Sequence, residues 1–324
     1  MKDKKRHILY RLTALMLAVI ASLGLVSCGE EPVETEEDIP VITPAESPVG
    51  GLDEMAEIDG TSIHSDYALL CELNTLTAVA GLRATERMYP ASMTKLMTFI
   101  VAYENAPDLS ALITVTEALK RQYPEGSRVG IDVGDMMTVE QMLYALLLSS
   151  DTDAALGLAT HVAGSEEAFV ALMNQKAQDM GLTQTSFQNV TGLHHKNHYT
   201  TAVEMAAILG YALSTDLGRT ILTTETYVTR LKYYLPSGEL SDYRMTFFNT
   251  TLRDRFANNG VSKIASNGTT VIGGKTGFTD EAAYCLATVA RSAEGKEYLL
   301  ITGHASSGEK TAKDAIWIYQ KYAG

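Results

Sequence analysis

The apolar positions of this chain change period along its length, and each change predicts a different kind of structure. Leu12 to Leu25 is an almost unbroken apolar run. Asp66 to Leu70 and Thr75 to Gly81 read as two short strands joined through Glu72-Leu73-Asn74, a hairpin. Helical spacing then takes over at Ser92–Tyr103, Thr138–Ser149, Ser165–Met180 and Thr201–Ser214. In the second of these Met142, Leu143, Leu146 and Leu147 share a face, and Thr138-Val139-Glu140-Gln141 resembles a capping box. Strand patterns return at Tyr284–Arg291 and Glu297–Thr302, joined by the turn-like Ser292-Ala293-Glu294-Gly295, before a last helix at about Glu309–Tyr322. Strands at both ends with helices between predict an α/β chain of the α+β kind. Its single antiparallel sheet draws on both chain ends, helices cover it, and a helical lobe is inserted beside it.

The N-terminus bounds the folded part. Lys2, Lys4, Lys5, Arg6 and Arg11 form a basic region ahead of an apolar run too short to span a bilayer comfortably. The run ends in Leu25-Val26-Ser27-Cys28, which resembles the lipobox of bacterial lipoproteins. That resemblance implies cleavage before Cys28, acyl chains on it, and an extracytoplasmic protein held to the cell membrane of a bacterium. An ordinary secretory signal with a chance cysteine is the alternative; both place the mature chain outside the cytoplasm. Residues 1–27 are thus expected to be a signal peptide. Residues 28–58, rich in Glu and Pro and with no Lys or Arg before Arg83, are expected to be a disordered tether reaching at most about 100 Å. Residues 59–324 form the folded domain. The net charge of −13 becomes −17 without residues 1–27, which hold five basic residues and Asp3. An acidic chain without basic clusters argues against nucleic acid as a partner, and a monomer is expected. Cys71 and Cys285 then remain, able to pair in an exported protein or to stay as thiols in the apolar runs that hold them.

Three short motifs carry candidate chemistry. Ser92-x-x-Lys95, opening a helix after Pro90, puts a nucleophile and a base on one face with Cβ atoms roughly 5–6 Å apart. A lysine buried near a helix N-terminus is pushed toward its neutral amine, which can take a proton from a serine. Ser150-Asp151-Thr152 ends the apolar helix 58 residues after Ser92, and Lys275-Thr276-Gly277 follows Gly273-Gly274 on an expected strand, 183 residues after it.

That trio, in this order, resembles the motifs of penicillin-binding proteins and class A β-lactamases. Ser127–Asp135, Thr138–Glu140, Leu143–Leu147, Thr191-Gly192-Leu193, His198–Ala202, Lys275–Thr279 and Tyr284–Ala287 narrow the likeness to low-molecular-mass serine D-alanyl-D-alanine carboxypeptidases of peptidase family S11, over roughly residues 62–322. The resemblance implies a β-lactamase/DD-peptidase-like fold and removal of the terminal D-alanine from peptidoglycan stem peptides through an acyl-enzyme, with covalent inhibition by β-lactams. It implies Ser92 as nucleophile, Lys95 as base and Ser150 as proton relay. It further implies Lys275 and Thr276 as readers of the substrate's terminal carboxylate, with Gly277 beside them, and backbone N–H groups of Ser92 and Phe278 as oxyanion donors. No cofactor or metal is called for. The family usually has asparagine where this chain has Thr152, a shorter side chain with one hydroxyl, which Asp151 or Asp153 would have to supplement.

Other features are set aside. His194, His195 and His198 lack the spacing of a zinc site and read as a loop at the rim of the site. Trp317 between Ile316 and Ile318 reads as one turn of a terminal helix packed on the sheet. A class A-like β-lactamase is the enzymatic alternative, but Glu166-Glu167-Ala168-Phe169-Val170 lacks the Glu-x-x-Leu-Asn pattern that activates deacylating water. A non-catalytic wall-binding lipoprotein is the other, favoured only by Thr152.

Overall fold

A computed structural model describes residues 47–324. The apolar N-terminal run, Cys28 and most of the acidic stretch lie outside the described residues. The tether's expected end at residue 58 needs correction. Val49 and Ile58 are buried, Gly50 bridges Thr77, and β1 (Ala56–Glu57) pairs in parallel with Ala80 and Gly81. Val49, Leu52, Met55 and Ile58 give residues 49–58 apolar contacts that their acidic composition conceals.

The remaining elements follow in chain order. β2 (Tyr67–Glu72) and β3 (Thr77–Leu82) form the expected hairpin, and β4 (Arg87–Met88) leads into a 3-10 turn at Ala91–Thr94 and α1 (Lys95–Asn105). The helical part then runs through β5 (Leu112–Thr114), α2 (Glu117–Gln122), β6 (Met136–Thr138), α3 (Val139–Leu148), α4 (Thr152–Ala163) and α5 (Glu166–Asp179). After β7 (Thr200–Thr201) come α6 (Ala202–Ser214), α7 (Asp216–Thr223), a hairpin of β8 (Thr226–Tyr234) and β9 (Leu240–Phe248), and a π-helical segment Thr251–Ala257. β10 (Thr270–Thr279), β11 (Ala283–Arg291), β12 (Glu297–Ala305) and α8 (Gly308–Tyr322) complete the chain.

The main sheet runs β1-β3-β2-β12-β11-β10, antiparallel apart from the β1–β3 pair, so strands from both chain ends meet at β2 and β12 as expected. Period-two alternation sorts its side chains between two cores. Leu69, Cys71, Leu299 and Ile301 join the core on the face where α6 packs. Ala68, Leu70, Tyr298 and Leu300 face the other way, into the core shared with α8. Trp317 is partly buried on that second core, with Lys321 over its ring. Cys71 and Cys285 are free buried thiols. Thr138 and Gln141 form the capping box of α3. A second sheet, β5-β6-β8-β9, went unread in the sequence because β8 and β9 keep most of their positions at least partly exposed. Among the described residues no helix is long and apolar enough to cross a membrane.

Asp314 of α8 clips the segment before β2. Its buried carboxylate accepts from the backbone N–H of His64 (3.0 Å), the N–H of Ser65 (2.8 Å) and Ser65 Oγ (2.7 Å). Asp314→Ala leaves those donors unpaired in a closed space and should lower stability by about 3 kcal/mol. The midpoint of urea unfolding checks this; a shift worth less than about 1 kcal/mol would show that water replaces the clip.

Candidate active site

Ser92 lies on the 3-10 turn, not on an α-helix as its spacing predicted, and α1 begins only at Lys95. Ala91 has a φ of 46°, a backbone that cannot continue a helix toward the N-terminus. The expected approach survives, because i and i+3 eclipse one another on a 3-10 turn. Lys95 Nζ is 3.2 Å from Ser92 Oγ and donates to Thr191 O at 2.8 Å. Lys95 is fully buried, and burial lowers its pKa to about 7 against the opposing pull of Asp151.

The partner carbonyl comes from a loop that Asn189 shapes. Its Oδ1 accepts from Thr191 N–H (3.1 Å), Thr191 Oγ1 (3.0 Å) and Gly192 N–H (2.7 Å), while Nδ2 donates to Leu193 O. Gly192 has a φ of 85°, and a Cβ there would stand 1.9 Å from Ala91 O, so only glycine lets this loop close on the nucleophile turn. His198 braces the turn from behind: Thr94 Oγ1 is 2.8 Å from its Nε2, and Gln188 N–H donates to its Nδ1. Burial takes its pKa down to about 3, so the ring is neutral. Among the described residues no group of three or more His, Cys, Asp or Glu could hold a metal.

Ser150 follows α3 with a φ of 59°, an uncommon backbone for a non-glycine residue, and its Oγ accepts from Lys275 Nζ at 2.9 Å. Lys275 also donates to Thr276 O at 2.9 Å and is fully buried. Burial, then Lys95 and Arg255, push its pKa well below the usual lysine value. Ser92, Lys95, Ser150, Thr152, Thr276, Gly277 and Phe278 line one cleft of about 280 Å³. Lys275 stands behind it, reaching the cleft through Ser150.

Neither aspartate supplements Thr152. Asp151 caps α4 through Ala154 N–H (2.8 Å) and accepts from Val129 N–H (3.0 Å); burial raises its pKa to about 6. Asp153 is enclosed by Arg128 Nε (3.0 Å) and by Lys120 Nζ, which lies 2.9 Å from Oδ2. Thr152 itself is buried, its Oγ1 has no partner among the described residues, and it fills space beside Gly126. A Cβ on Gly126 would fall 2.4 Å from that oxygen. Thr152→Asn therefore forces a longer amide against a backbone with no room. Acylation should slow about tenfold, and stability should drop by about 1–3 kcal/mol. Penicillin acylation rates of the two proteins check it; a faster variant would mean that the glycine turn yields.

The sequence missed part of this cleft. Thr250 Oγ1 lies 3.0 Å from Thr276 Oγ1, and Arg255 sits over the Tyr284 ring with Nη2 3.4 Å from Gly277 O. Both flank or lie within the π-helical segment, and its sequence Asn249-Thr250-Thr251-Leu252-Arg253-Asp254-Arg255 carries no short catalytic motif.

With this geometry, residues 54–302 match the family model described as D-alanyl-D-alanine carboxypeptidase. The chain is 32% identical over 253 residues to the D-alanyl-D-alanine carboxypeptidase DacF of Bacillus subtilis, covering 76% of this chain and 59% of that one. It is 30% identical over 246 residues to the D-alanyl-D-alanine carboxypeptidase DacA of Escherichia coli K12, covering 74% and 55% respectively. The match thus spans somewhat over half the length of these two relatives. Among solved structures, the Streptomyces K15 DD-transpeptidase superposes with a TM-score of 0.69 at 26% identity, covering 81% of this chain and 99% of that one.

Proposed function

The chain belongs to the D-alanyl-D-alanine carboxypeptidase family of serine peptidases (peptidase S11), and on that premise we propose that it removes the terminal D-alanine of peptidoglycan stem peptides through an ester on Ser92. The observation that carries this reading is the buried Lys95 amine, 3.2 Å from Ser92 Oγ and with a pKa lowered to about 7. At neutral pH a large fraction is unprotonated and able to accept the serine proton. Ser92 then attacks the carbonyl between the two D-alanines, with the N–H groups of Ser92 and Phe278 stabilising the oxyanion. Ser150, hydrogen-bonded to Lys275, passes its proton to the leaving amine and takes in return the one Lys95 accepted from Ser92; water then hydrolyses the Ser92 ester and frees the enzyme. Thr276 and Arg255 meet the terminal carboxylate, with Arg255 taking the part that the sequence assigned to Lys275. The same nucleophile opens a β-lactam ring and is trapped as a penicilloyl ester.

A class A-like β-lactamase needs a free glutamate on the loop after the second motif to activate deacylating water. Glu166 is committed elsewhere, accepting from Val190 N–H (3.0 Å), Tyr123 Oη (2.9 Å) and Gln122 Nε2. Export and lipid attachment at Cys28, with the acidic residues that follow as a tether, remain part of the proposal; Cys28→Ala should move the protein from the membrane fraction to the soluble one.

Intact mass after incubation with a penicillin tests the reading. One stable penicilloyl group, located on the peptide containing Ser92, and release of D-alanine from a synthetic stem peptide are expected. Rapid turnover of the antibiotic would make the protein a β-lactamase, and absence of both adduct and D-alanine release would leave only a wall-binding role.

A further inference from the structure

A second cavity, at about 470 Å³ larger than the catalytic cleft, is lined by Arg83, Arg87, Tyr89, Lys196, Tyr199 and Glu281, among others. It adjoins the cleft along three segments at once. Tyr89 precedes Ser92 by three residues, Glu281 follows Phe278 by three, and Lys196 follows Leu193 by three; the first of each pair lines the cavity and the second the cleft. Three residues of extended chain span about 10 Å, so one peptide can occupy both. His194 ties two of these segments together, its ring meeting Tyr89 edge-on at 4.8 Å and its Nδ1 lying 3.7 Å from Glu281.

The charges of this cavity are unevenly matched. Asp66 is paired with His304, and Arg83 with Glu86. Arg87 is held in place, its guanidinium 4.1 Å above the Tyr199 ring and its Nε donating to Gln184 at 3.0 Å, yet its Nη groups have no partner among the described residues. Lys196, exposed like Arg87, makes no side-chain hydrogen bond or ion pair among them. A stacked guanidinium with idle donors is preorganised for a carboxylate.

We propose that the second cavity is a subsite for a carboxylate-bearing residue of the peptide substrate, upstream of the terminal D-alanine pair, with Arg87 and Lys196 as its cations. The assignment rests on the carboxypeptidase reading above. It makes the enzyme selective for acidic stem peptides beyond what recognition of the D-alanine pair provides.

The test uses two synthetic peptides ending in D-alanyl-D-alanine, identical except that one carries a free carboxylate upstream and the other its neutral amide. The folded protein is expected to prefer the carboxylate peptide five- to tenfold in kcat/KM, falling toward twofold at high salt. Lys196→Gln, at an exposed position, should halve the preference or more, and Lys196→Gln with Arg87→Gln should bring it close to one. The ratio between peptides is the readout, and penicilloyl adduct formation by each variant reports an intact fold. A preference of one in the unaltered protein, or one that survives both substitutions, overturns the subsite. If neither peptide is cleaved while the adduct still forms, the carboxypeptidase reading falls and the subsite with it.

Discussion

Lys95→Met should slow acylation of Ser92 by a penicillin about a thousandfold. Among the described residues the groups within hydrogen-bond distance of Ser92 Oγ are Lys95 Nζ at 3.2 Å and the Thr191 carbonyl at 3.5 Å, and a carbonyl is no base. Thr191 O already accepts from Lys95, Ser150 Oγ accepts from Lys275, and His198 is engaged with Thr94 behind the turn. Loss of a positioned general base typically costs 10²- to 10⁴-fold. Time-resolved intact mass gives the second-order rate constant; a loss under tenfold would hand the base role to another group. In the unaltered protein the rate should climb as pH rises through about 7, where the buried amine loses its proton.

The same burial has a consequence for stability. The unfolded chain keeps the Lys95 proton up to its ordinary pKa near 10.5, whereas the folded chain gives it up near 7. Between those values the unfolded state binds more protons, so this group makes folding more favourable as pH rises and less favourable at pH 7 and below. Lys95→Met removes that slope and should stabilise the protein at pH 6 by roughly 2 kcal/mol, after allowing for the partner it takes from Thr191. A catalytically dead variant with a higher Tm is the expected outcome, as stability and activity pull in opposite directions at such sites.

How much of this was legible in the sequence follows from how local each signal is. The β2–β3 hairpin, the capping box of α3 and the β11–β12 pair rest on patterns within a dozen residues, and each stands close to its expected place. Ser92, Lys95, Ser150 and Lys275 were marked by residue type and spacing, and the fold gathers them through one cleft. What escaped depends on contacts between distant residues. Asn189 looks like any polar loop residue until its side chain is seen holding Thr191 and Gly192 against Ala91. The fit of Thr152 is set by Gly126, on a loop 26 residues earlier. Residues 49–58 read as tether because acidic composition outweighed four apolar positions whose partners lie in the β2–β3 region and beyond.

Arg255→Leu should remove most of the selectivity for substrates with a free C-terminal carboxylate. Two cations stand at the Thr276 end of the cleft, and their states differ. Lys275 is enclosed, spends its donors on Ser150 and Thr276 O, and is pushed toward the neutral amine by burial and by its cationic neighbours. Arginine cannot follow that course, because its guanidinium keeps its charge at any working pH. Arg255 lines the cleft, is held over Tyr284, and has a buried Nε without a partner among the described residues. A charge-assisted hydrogen bond to a ligand carboxylate is worth about 1.5–3 kcal/mol, or roughly ten- to 150-fold. With peptides ending in D-alanyl-D-alanine as the free acid or the amide, the acid-to-amide ratio of kcat/KM should fall by about that factor in Arg255→Leu. Arg255→Lys should restore part of it, retaining the charge without the fork. A ratio that stays as it was would return the carboxylate to Lys275 and Thr276. The cationic Lys275 would then have to be stabilised by the substrate itself, and selectivity would fade as pH rises and that lysine loses its proton.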